Sequence, residues 1–297
     1  MYLAYAAPAG HALIDRALYL PQAWLDDPGR CAAAGIPAGV DFATKPTLAT
    51  RMITAALDAD VTTGWVAGDE VYGADPTLRA TLEDRGVGYV LAVAANRRIP
   101  VGQGRRRVDE LTDHLPTRSW QRLSAGVGAH GHRLYSWAWL PLPADDTGGH
   151  RWVLVRRNDT TGEHAYYLTY SPQPVGLPAL VRVAGQRWRI EESFQSSKGL
   201  TGLDQHQVRR WTSWHRWVTL AMLAHAFLAV VTATERSTVP APDGLIPITV
   251  NEQRRLIDAL LLRPHRSLQP LLHWSTWRRR HQGRARASHY RRREQSP

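Results

Sequence analysis

One carboxylate stands where a strand gives way to a loop. Asp69 ends the apolar run Trp65-Val66-Ala67-Gly68-Asp69 and precedes the segment Glu70–Gly73. A carboxylate just beyond the carboxyl end of a strand lies where α/β sheets usually bind ligands and substrates. An Asp in this place can also act simply as the cap of a turn or of the next helix. Asp69 is therefore a candidate catalytic residue, with a capping role as the alternative.

Three charged residues share a second pattern. Arg187, Glu191 and Lys198 are separated by four and seven residues, so a helix would place all three on one face. Such a face can be a solvated stripe with ordinary i,i+4 ion pairs. Trp188 and Phe194, however, put large apolar groups beside it. The sequence thus predicts a packed helix from which a charged stripe emerges.

The chain is strongly basic, with 297 residues, a formal net charge of +11 and a pI of about 10.3. This balance favours a polyanionic partner, most often nucleic acid. Arginines crowd the last twenty residues, where Glu294 is the only acid: Arg278, Arg279, Arg280, Arg284, Arg286, Arg291, Arg292 and Arg293. Each can neutralise a phosphate and release counterions. A disordered, solvated tail would have the same composition, so both interpretations stay open.

Composition excludes several other classes. The single cysteine, Cys31, rules out a disulfide framework and a zinc site made of several thiolates. The opening residues lack the basic flank and long apolar region of a signal peptide, which predicts a cytosolic protein. The segment Trp217–Ala233 is apolar but short for a membrane span and contains His225, so it predicts a buried core helix.

Local patterns predict an α/β layer followed by a β-rich region. Apolar runs at Met1–Ala7 and His11–Leu20, broken by Pro8-Ala9-Gly10, predict a β-hairpin. The next elements alternate in type: helix Lys45–Ala59, strand Gly64–Gly68, helix Pro76–Arg85 and strand Gly88–Val93. Strands are then predicted at Arg133–Leu140, His150–Val155 and Ala165–Tyr170, and helices at Leu177–Lys198, Trp211–Glu235 and Val250–Leu262.

Together these elements resemble the catalytic core of insertion-sequence transposases of the DDE type. One branch of that family has a β-rich insertion before the catalytic Glu, which lies in a signature of Tyr, two residues, Arg, three residues, Glu, six residues and Lys. Arg187, Glu191 and Lys198 match this spacing, and Asp69 matches the family's second Asp. Ala184 stands at the Tyr position, so a role for that Tyr is in doubt here. The resemblance covers most of the chain.

The resemblance implies an RNase H-like fold and metal-dependent hydrolysis and strand transfer at insertion-sequence ends. It makes Asp69 and Glu191 catalytic ligands of Mg²⁺ or Mn²⁺, with two ions in the complete enzyme, because such hard cations prefer carboxylate oxygens. Arg187 and Lys198 would hold the DNA backbone, and Lys198 is one of only two lysines in the chain. The implied partner is double-stranded DNA, both transposon ends and target, bound by a homodimer in the bacterial cytoplasm, at the nucleoid, without a membrane.

One carboxylate of the family is not found. The first Asp should end the central strand of the RNase H-like sheet, upstream of a hairpin like the one predicted here. Asp15 lies within a strand, and Asp26, Asp27 and Asp41 lie in an irregular segment without a preceding apolar strand. We therefore expect an amino-terminally truncated chain, inactive by itself, that lacks the first strand and leaves strand edges unpaired.

The predicted fold class is α/β: an RNase H-like mixed sheet with flanking helices, interrupted by a β-rich insertion. The expected divisions are the first part of the core (1–94), the insertion (95–172), the core with the Glu helix (173–236), and a linker, helix and basic tail (237–297). The alternative function is a non-catalytic DNA-binding remnant or inhibitor of transposition. An RNase H-like nuclease unrelated to transposition fits the helix spacing less well.

Overall fold

The structure is a computed structural model that describes residues 1–101, 104–113, 115–128, 131–143, 148–262 and 267–294. The elements up to residue 112 are, in chain order, β1 (Tyr2–Ala7), β2 (Gly10–Arg16), α1 (Gln22–Leu25), α2 (Pro28–Ala34), α3 (Lys45–Asp58), β3 (Trp65–Gly68), α4 (Glu70–Gly73), α5 (Pro76–Asp84), β4 (Gly88–Val93), β5 (Arg98–Val101), β6 (Gly104–Arg107) and α6 (Val108–Thr112). The later elements are β7 (Gln121–Gly128), β8 (Gly131–Pro141), β9 (His150–Arg157), β10 (His164–Ser171), α7 (Leu177–Gln186), α8 (Trp188–Thr201), α9 (Trp211–Thr238), α10 (Val250–Ile257) and α11 (Leu268–Glu294).

A six-stranded mixed sheet forms the centre of the fold, in the order β3-β4-β10-β9-β8-β7. Strands β3 and β4 are parallel, as a strand–helix–strand unit requires, and the other neighbours are antiparallel. The α/β, RNase H-like class predicted from the sequence is confirmed. Strands β7 to β10 of the β-rich segment do not form a sheet of their own, because β10 pairs directly with β4 and extends the same sheet. Strands β5 and β6 form a separate two-stranded sheet.

Helices cover both faces of this sheet. On one face α3, α5 and α6 contribute Ile53, Leu82 and Val108 to a core that includes Leu91 of β4. On the other face α7 packs Leu180 and its neighbours against a core that includes residues of β4, β8 and β9. Both sides of β4 are therefore buried, which explains why its sequence is apolar without alternation.

The β1–β2 hairpin forms a separate two-stranded sheet. Leu13 of β2 is buried against α8 and α9, so the hairpin is held mainly by helices. Its direct link to the start of β3 is the Tyr5 hydroxyl, which donates to the carbonyl of Thr62 at 3.2 Å. Within the described part of the chain, β1 pairs only with β2 and β3 only with β4. The outer edges of β1 and β3 are therefore among the strand edges that have no partner in the described part of the chain.

Unpaired edges invite association with other chains. We expect the chain to aggregate as its concentration rises, and we expect Ala6→Lys to slow this aggregation, because Ala6 is an exposed residue of β1. Light scattering over time measures the rate. The matched control is Ala59→Lys, at an exposed position after α3. A monomeric wild-type chain that melts cooperatively at high concentration would contradict the prediction.

Helix α9 is buried on one side only. Its inner face packs on β2, α8 and α10 and includes His225 and Leu228. Its outer face exposes apolar side chains three and four positions apart: Leu220, Leu223, Phe227 and Val230. The prediction of a buried core helix is thus correct for one face of α9, whereas the other face is exposed. By length and composition α9 could also cross a membrane. A single helix of this kind is weak evidence for a membrane protein, because the core helix of a soluble protein has the same properties.

The carboxy-terminal helices differ from the sequence prediction in two ways. The helix predicted over Leu177–Lys198 is divided at Arg187 into α7 and α8. At this division Arg133 donates to the carbonyl of Gly185 at 3.1 Å, and a backbone N–H at the end of α7 donates to the same carbonyl. The basic tail is not an irregular segment, because Leu268–Glu294 forms one 27-residue helix, α11.

Candidate active site

Asp69 lies directly after β3, as predicted. It is the N-cap of α4, and its Oδ1 accepts a hydrogen bond from the backbone N–H of Val71 at 3.0 Å. The residue is exposed at the carboxyl edge of the parallel β3–β4 pair. The capping role considered from the sequence is therefore present, and it engages one carboxylate oxygen. Only that oxygen has a hydrogen bond among the described residues, so the other can bind a ligand.

The turn that carries Asp69 is fixed by close packing. Gly73, the last residue of α4, lies so near β4 that a Cβ there would be 1.9 Å from the carbonyl oxygen of Ala92. The Arg79 guanidinium donates to the carbonyl of Gly73, and burial lowers the pKa of Arg79. Burial and the neighbouring charge of Asp69 raise the pKa of Tyr72. The position of Asp69 is thus determined by backbone contacts with the end of β4.

Helix α8 presents the predicted charged face. Arg187 and Glu191 form a loose i,i+4 ion pair with 3.9 Å between Nη1 and Oε1, and Glu191 is 52% exposed. Lys198 is exposed, with its Nζ 6.0 Å from the centre of the Phe194 ring. The opposite side of the helix is fully buried at Ser193. The stripe therefore does emerge from a packed helix.

A polar cluster anchors α8 to the hairpin. His11 of β2 contacts the Ser193 hydroxyl through Nδ1 at 2.7 Å and Glu192 through Nε2 at 3.5 Å. Glu192 is also bound by Arg189 at 2.7 Å. The His11 ring lies 6.5 Å from that of His225 in α9. The hairpin, α8 and α9 are thus joined immediately beside Glu191.

The buried histidines of this cluster resist protonation. His225 is 1% exposed and its Nδ1 has no hydrogen-bond partner. Burial, with a smaller effect of nearby His11, lowers the pKa of His225 to about 4. Burial also lowers the pKa of His11, although Glu192 acts in the opposite direction. Both rings are therefore neutral in the folded protein at neutral pH.

Asp69 and Glu191 lie on different elements, and no hydrogen bond or ion pair joins Asp69 to α8 among the described residues. In the same part of the chain, no three His, Cys, Asp or Glu side chains are grouped so that they could hold a metal ion. The two exposed carboxylates offer the oxygen donors that hard divalent cations prefer.

The arginines predicted to contact DNA separate into two groups. Arg278 binds both carboxylate oxygens of the largely buried Glu252, and Arg279 donates to the carbonyl of Ile246 at 3.1 Å. These two side chains fasten α11 to the rest of the protein. Arg280 and Arg284 are exposed, and Arg286 contacts Tyr290, with its Nη2 3.4 Å from the hydroxyl and its guanidinium 5.3 Å from the ring centre. These three remain available to an external partner.

A second basic surface was not recognised from the sequence. The antiparallel ribbon β5–β6 exposes Arg98, Arg105 and Arg106. Its signal was available, since five arginines and no acid lie between positions 97 and 107. The sequence predicts only the start of a β-rich region here, because the two strands are four residues long each and carry no alternating apolar pattern.

Residues 1–125 match the family model described as DDE superfamily endonuclease. The matched part contains the hairpin, the β3–β4 unit with Asp69, and the arginine ribbon, and it ends within β7. It does not include α8 with Glu191. A comparison with curated proteins gave no significant match.

Proposed function

We propose that this chain is part of a transposase that hydrolyses DNA phosphodiesters and transfers strands at insertion-sequence ends, because residues 1–125 match the family model described as DDE superfamily endonuclease. The observation that carries the proposal is Asp69, which lies inside the matched segment, follows a strand, and is exposed at the carboxyl edge of a parallel strand pair. That edge is where α/β sheets usually place their sites.

DDE superfamily nucleases use divalent metal ions. In the proposal Asp69 and Glu191 would hold Mg²⁺ or Mn²⁺, and the metal, when bound, would polarise a water or hydroxyl nucleophile and neutralise charge on the phosphate. The Val71 N–H fixes the orientation of the Asp69 carboxylate through Oδ1. Glu191 must release its loose contact with Arg187, and this leaves the Arg187 guanidinium free for a phosphate oxygen. Lys198, exposed on the same helix face, adds a point charge.

A third carboxylate is needed, and we infer that it comes from a strand that pairs with the free edges of β1 and β3. The carboxyl end of such a strand, beside that of β3, would bring its Asp close to Asp69. These 297 residues alone are then inactive in cleavage. We further propose that the complete enzyme joins two DNA ends as a homodimer and works in the bacterial cytoplasm, at the nucleoid.

The second candidate is a non-catalytic DNA-binding protein that inhibits transposition. Arg280, Arg284 and Arg286 favour it, because they are exposed on a helix that would bind DNA without any contribution from Asp69 or Glu191.

The deciding experiment starts from the DNA that encodes this chain. The longest in-frame product that includes the region upstream of Met1 is assayed for cleavage of its element's ends with Mg²⁺, with Mn²⁺ and with chelator. We expect metal-dependent cleavage, and a loss of at least about 100-fold for Glu191→Gln, since changes even to groups around a metal's ligands cost ten- to hundredfold. Glu192→Gln is the matched control, because Glu192 faces Arg189 and His11 instead.

The results test Glu191 as a catalytic residue and also separate the two candidate functions. Cleavage that survives Glu191→Gln, or falls equally in Glu192→Gln, removes Glu191 from the proposed site. If no upstream strand with an Asp is encoded and no cleavage occurs, the DNA-binding alternative is the function to pursue.

A further inference from the structure

The arginine ribbon lies at the same edge of the sheet as Asp69. Strands β3 and β4 are parallel with Gly68 opposite Leu91, so the residues that follow both strands leave the sheet on one side. Asp69 follows β3 on that side. The chain that follows β4 reaches β5 after four residues. The two features therefore originate from neighbouring strand ends.

Electrostatics gives a second indication of this proximity. The positive charge of Arg97, just before β5, contributes to the lowered pKa of Arg79, although burial is the larger cause. Arg79 in turn donates to the carbonyl of Gly73, four residues after Asp69. The base of the ribbon is thus close to the turn that positions Asp69.

The base of the ribbon packs against the protein core. Ile99 of β5 is 3% exposed and belongs to the main core, and Val101 packs against the same core. The base is closed by two backbone hydrogen bonds, from Val108 to Arg97 at 2.9 Å and from Asp109 to Ala95 at 3.1 Å. The arginines are consequently held in a fixed place relative to the sheet edge.

The charge of the ribbon is only partly neutralised. Arg107 forms a two-point pair with Asp109, through Nε at 3.0 Å and Nη2 at 2.6 Å. Arg98 lies directly opposite Arg107, and like charges at opposite positions destabilise a strand pair. In the described part of the chain Arg98, Arg105 and Arg106 have no hydrogen bond or ion pair through their side chains. An external polyanion would relieve this repulsion.

From these observations we propose that Arg98, Arg105 and Arg106 bind the phosphate backbone of duplex DNA beside Asp69 and hold the strand at the cleavage edge. The proposal deepens the proposed function and rests on DNA being the substrate, but not on catalysis. Arg98 and Arg105 share the side of the ribbon that faces away from the core. Arg106 lies opposite Ile99 on the core-facing side, but its own side chain is exposed and can reach a phosphate at the ribbon's margin. Phosphate contacts of this kind position DNA without reading its sequence.

The test measures binding of the full chain to a labelled DNA duplex by fluorescence anisotropy, at nanomolar protein and several salt concentrations. The variant Arg98→Gln/Arg105→Gln/Arg106→Gln should bind about tenfold more weakly. The slope of log K against log salt should fall by about 2.7, since each lost phosphate contact contributes about 0.9. The charge-matched control is Arg182→Gln/Arg254→Gln/Arg255→Gln, which removes three exposed arginines of α7 and α10. It should stay close to wild type.

A crosslink tests the location independently of affinity. In a Cys31→Ser background, Gly104→Cys places a thiol at the start of β6, where a side chain meets no other atom. Duplex DNA with a thiol tethered to one phosphate should form a disulfide with this variant. It should form none with Gly39→Cys in the same background, an exposed position in the segment before α3 where a Cβ also has open space.

The outcomes separate the two levels of the proposal. Equal losses in the ribbon variant and its control would mean diffuse charge attraction and overturn the assignment. Binding that depends on Arg280, Arg284 and Arg286 but not on the ribbon would also overturn it, while DNA would remain the partner. A wild-type chain that does not bind DNA at all overturns both this assignment and the proposed function.

Discussion

Gly185→Ala is expected to lower the free energy of unfolding by about 3 kcal/mol, at the upper end of what overpacking usually costs. A Cβ at this position would lie 1.8 Å from the carbonyl oxygen of Ala125, so α7 and β7 are in contact backbone to backbone. The atoms that must move belong to main chain and not to a flexible side chain. Arg133 also links α7 and β7 at this point, because its guanidinium donates hydrogen bonds to the carbonyls of Gly185 and Ala125.

Gly199→Ala provides the control, because it makes the same change in α8 where a Cβ meets nothing within 4 Å. An alanine there should stabilise the protein by about 0.5–1 kcal/mol through its higher helix propensity. Urea denaturation followed by circular dichroism measures both variants. If Gly185→Ala were as stable as wild type, the close contact between α7 and β7 would not exist in solution.

The second large effect is a dependence of stability on pH. Folded His225 stays neutral down to about pH 4, whereas in the unfolded chain it binds a proton near pH 6.5. Between these values the unfolded state holds more protons, so stability is lost as the pH falls through this window. We expect His225 to account for a loss of about 2 kcal/mol between pH 7 and pH 4.5. Arg189, Glu192, Arg236 and His11 are the charged or titratable groups nearby.

His225→Leu isolates this contribution, because it keeps a side chain of similar volume and removes the titrating group. The difference in unfolding free energy between wild type and His225→Leu should shift by the expected amount as the pH is lowered. His150→Gln, at an exposed position on β9, should leave the wild-type profile unchanged. Parallel profiles for wild type and His225→Leu would refute the role of His225.

Elements defined by local signals were predicted well. The hairpin follows from the Pro8-Ala9-Gly10 turn between two apolar runs, and β4 was predicted with its observed limits, Gly88–Val93. Asp69 was found because a strand end and a carboxylate coincide within five residues. In each case the information lies in a short stretch of sequence, where apolar pattern and turn residues agree.

Features that depend on distant contacts were missed. At the division between α7 and α8, the carbonyl of Gly185 accepts a hydrogen bond from Arg133, which lies 52 residues away in the sequence. Arg278 pairs with Glu252, which lies 26 residues earlier in the chain. The composition of the tail therefore indicates its positive charge but not this ion pair. The open face of α9 was also unforeseeable, because an apolar run does not show which of its sides finds a partner. The assignment of Arg187, Glu191 and Lys198 to a shared site with Asp69 stays a prediction.

The order of strands in the main sheet determines how early during synthesis the core can fold. Strand β4 finds its second neighbour, β10, only after about 70 further residues have been synthesised. At about 5–20 residues per second this takes several seconds on the ribosome. During that interval the apolar edge of β4, with Val90 and Leu91, lacks the strand that will cover it. Synthesis of residues 94–163 therefore sets a minimum time for folding of the core, in which chaperones have access to β4.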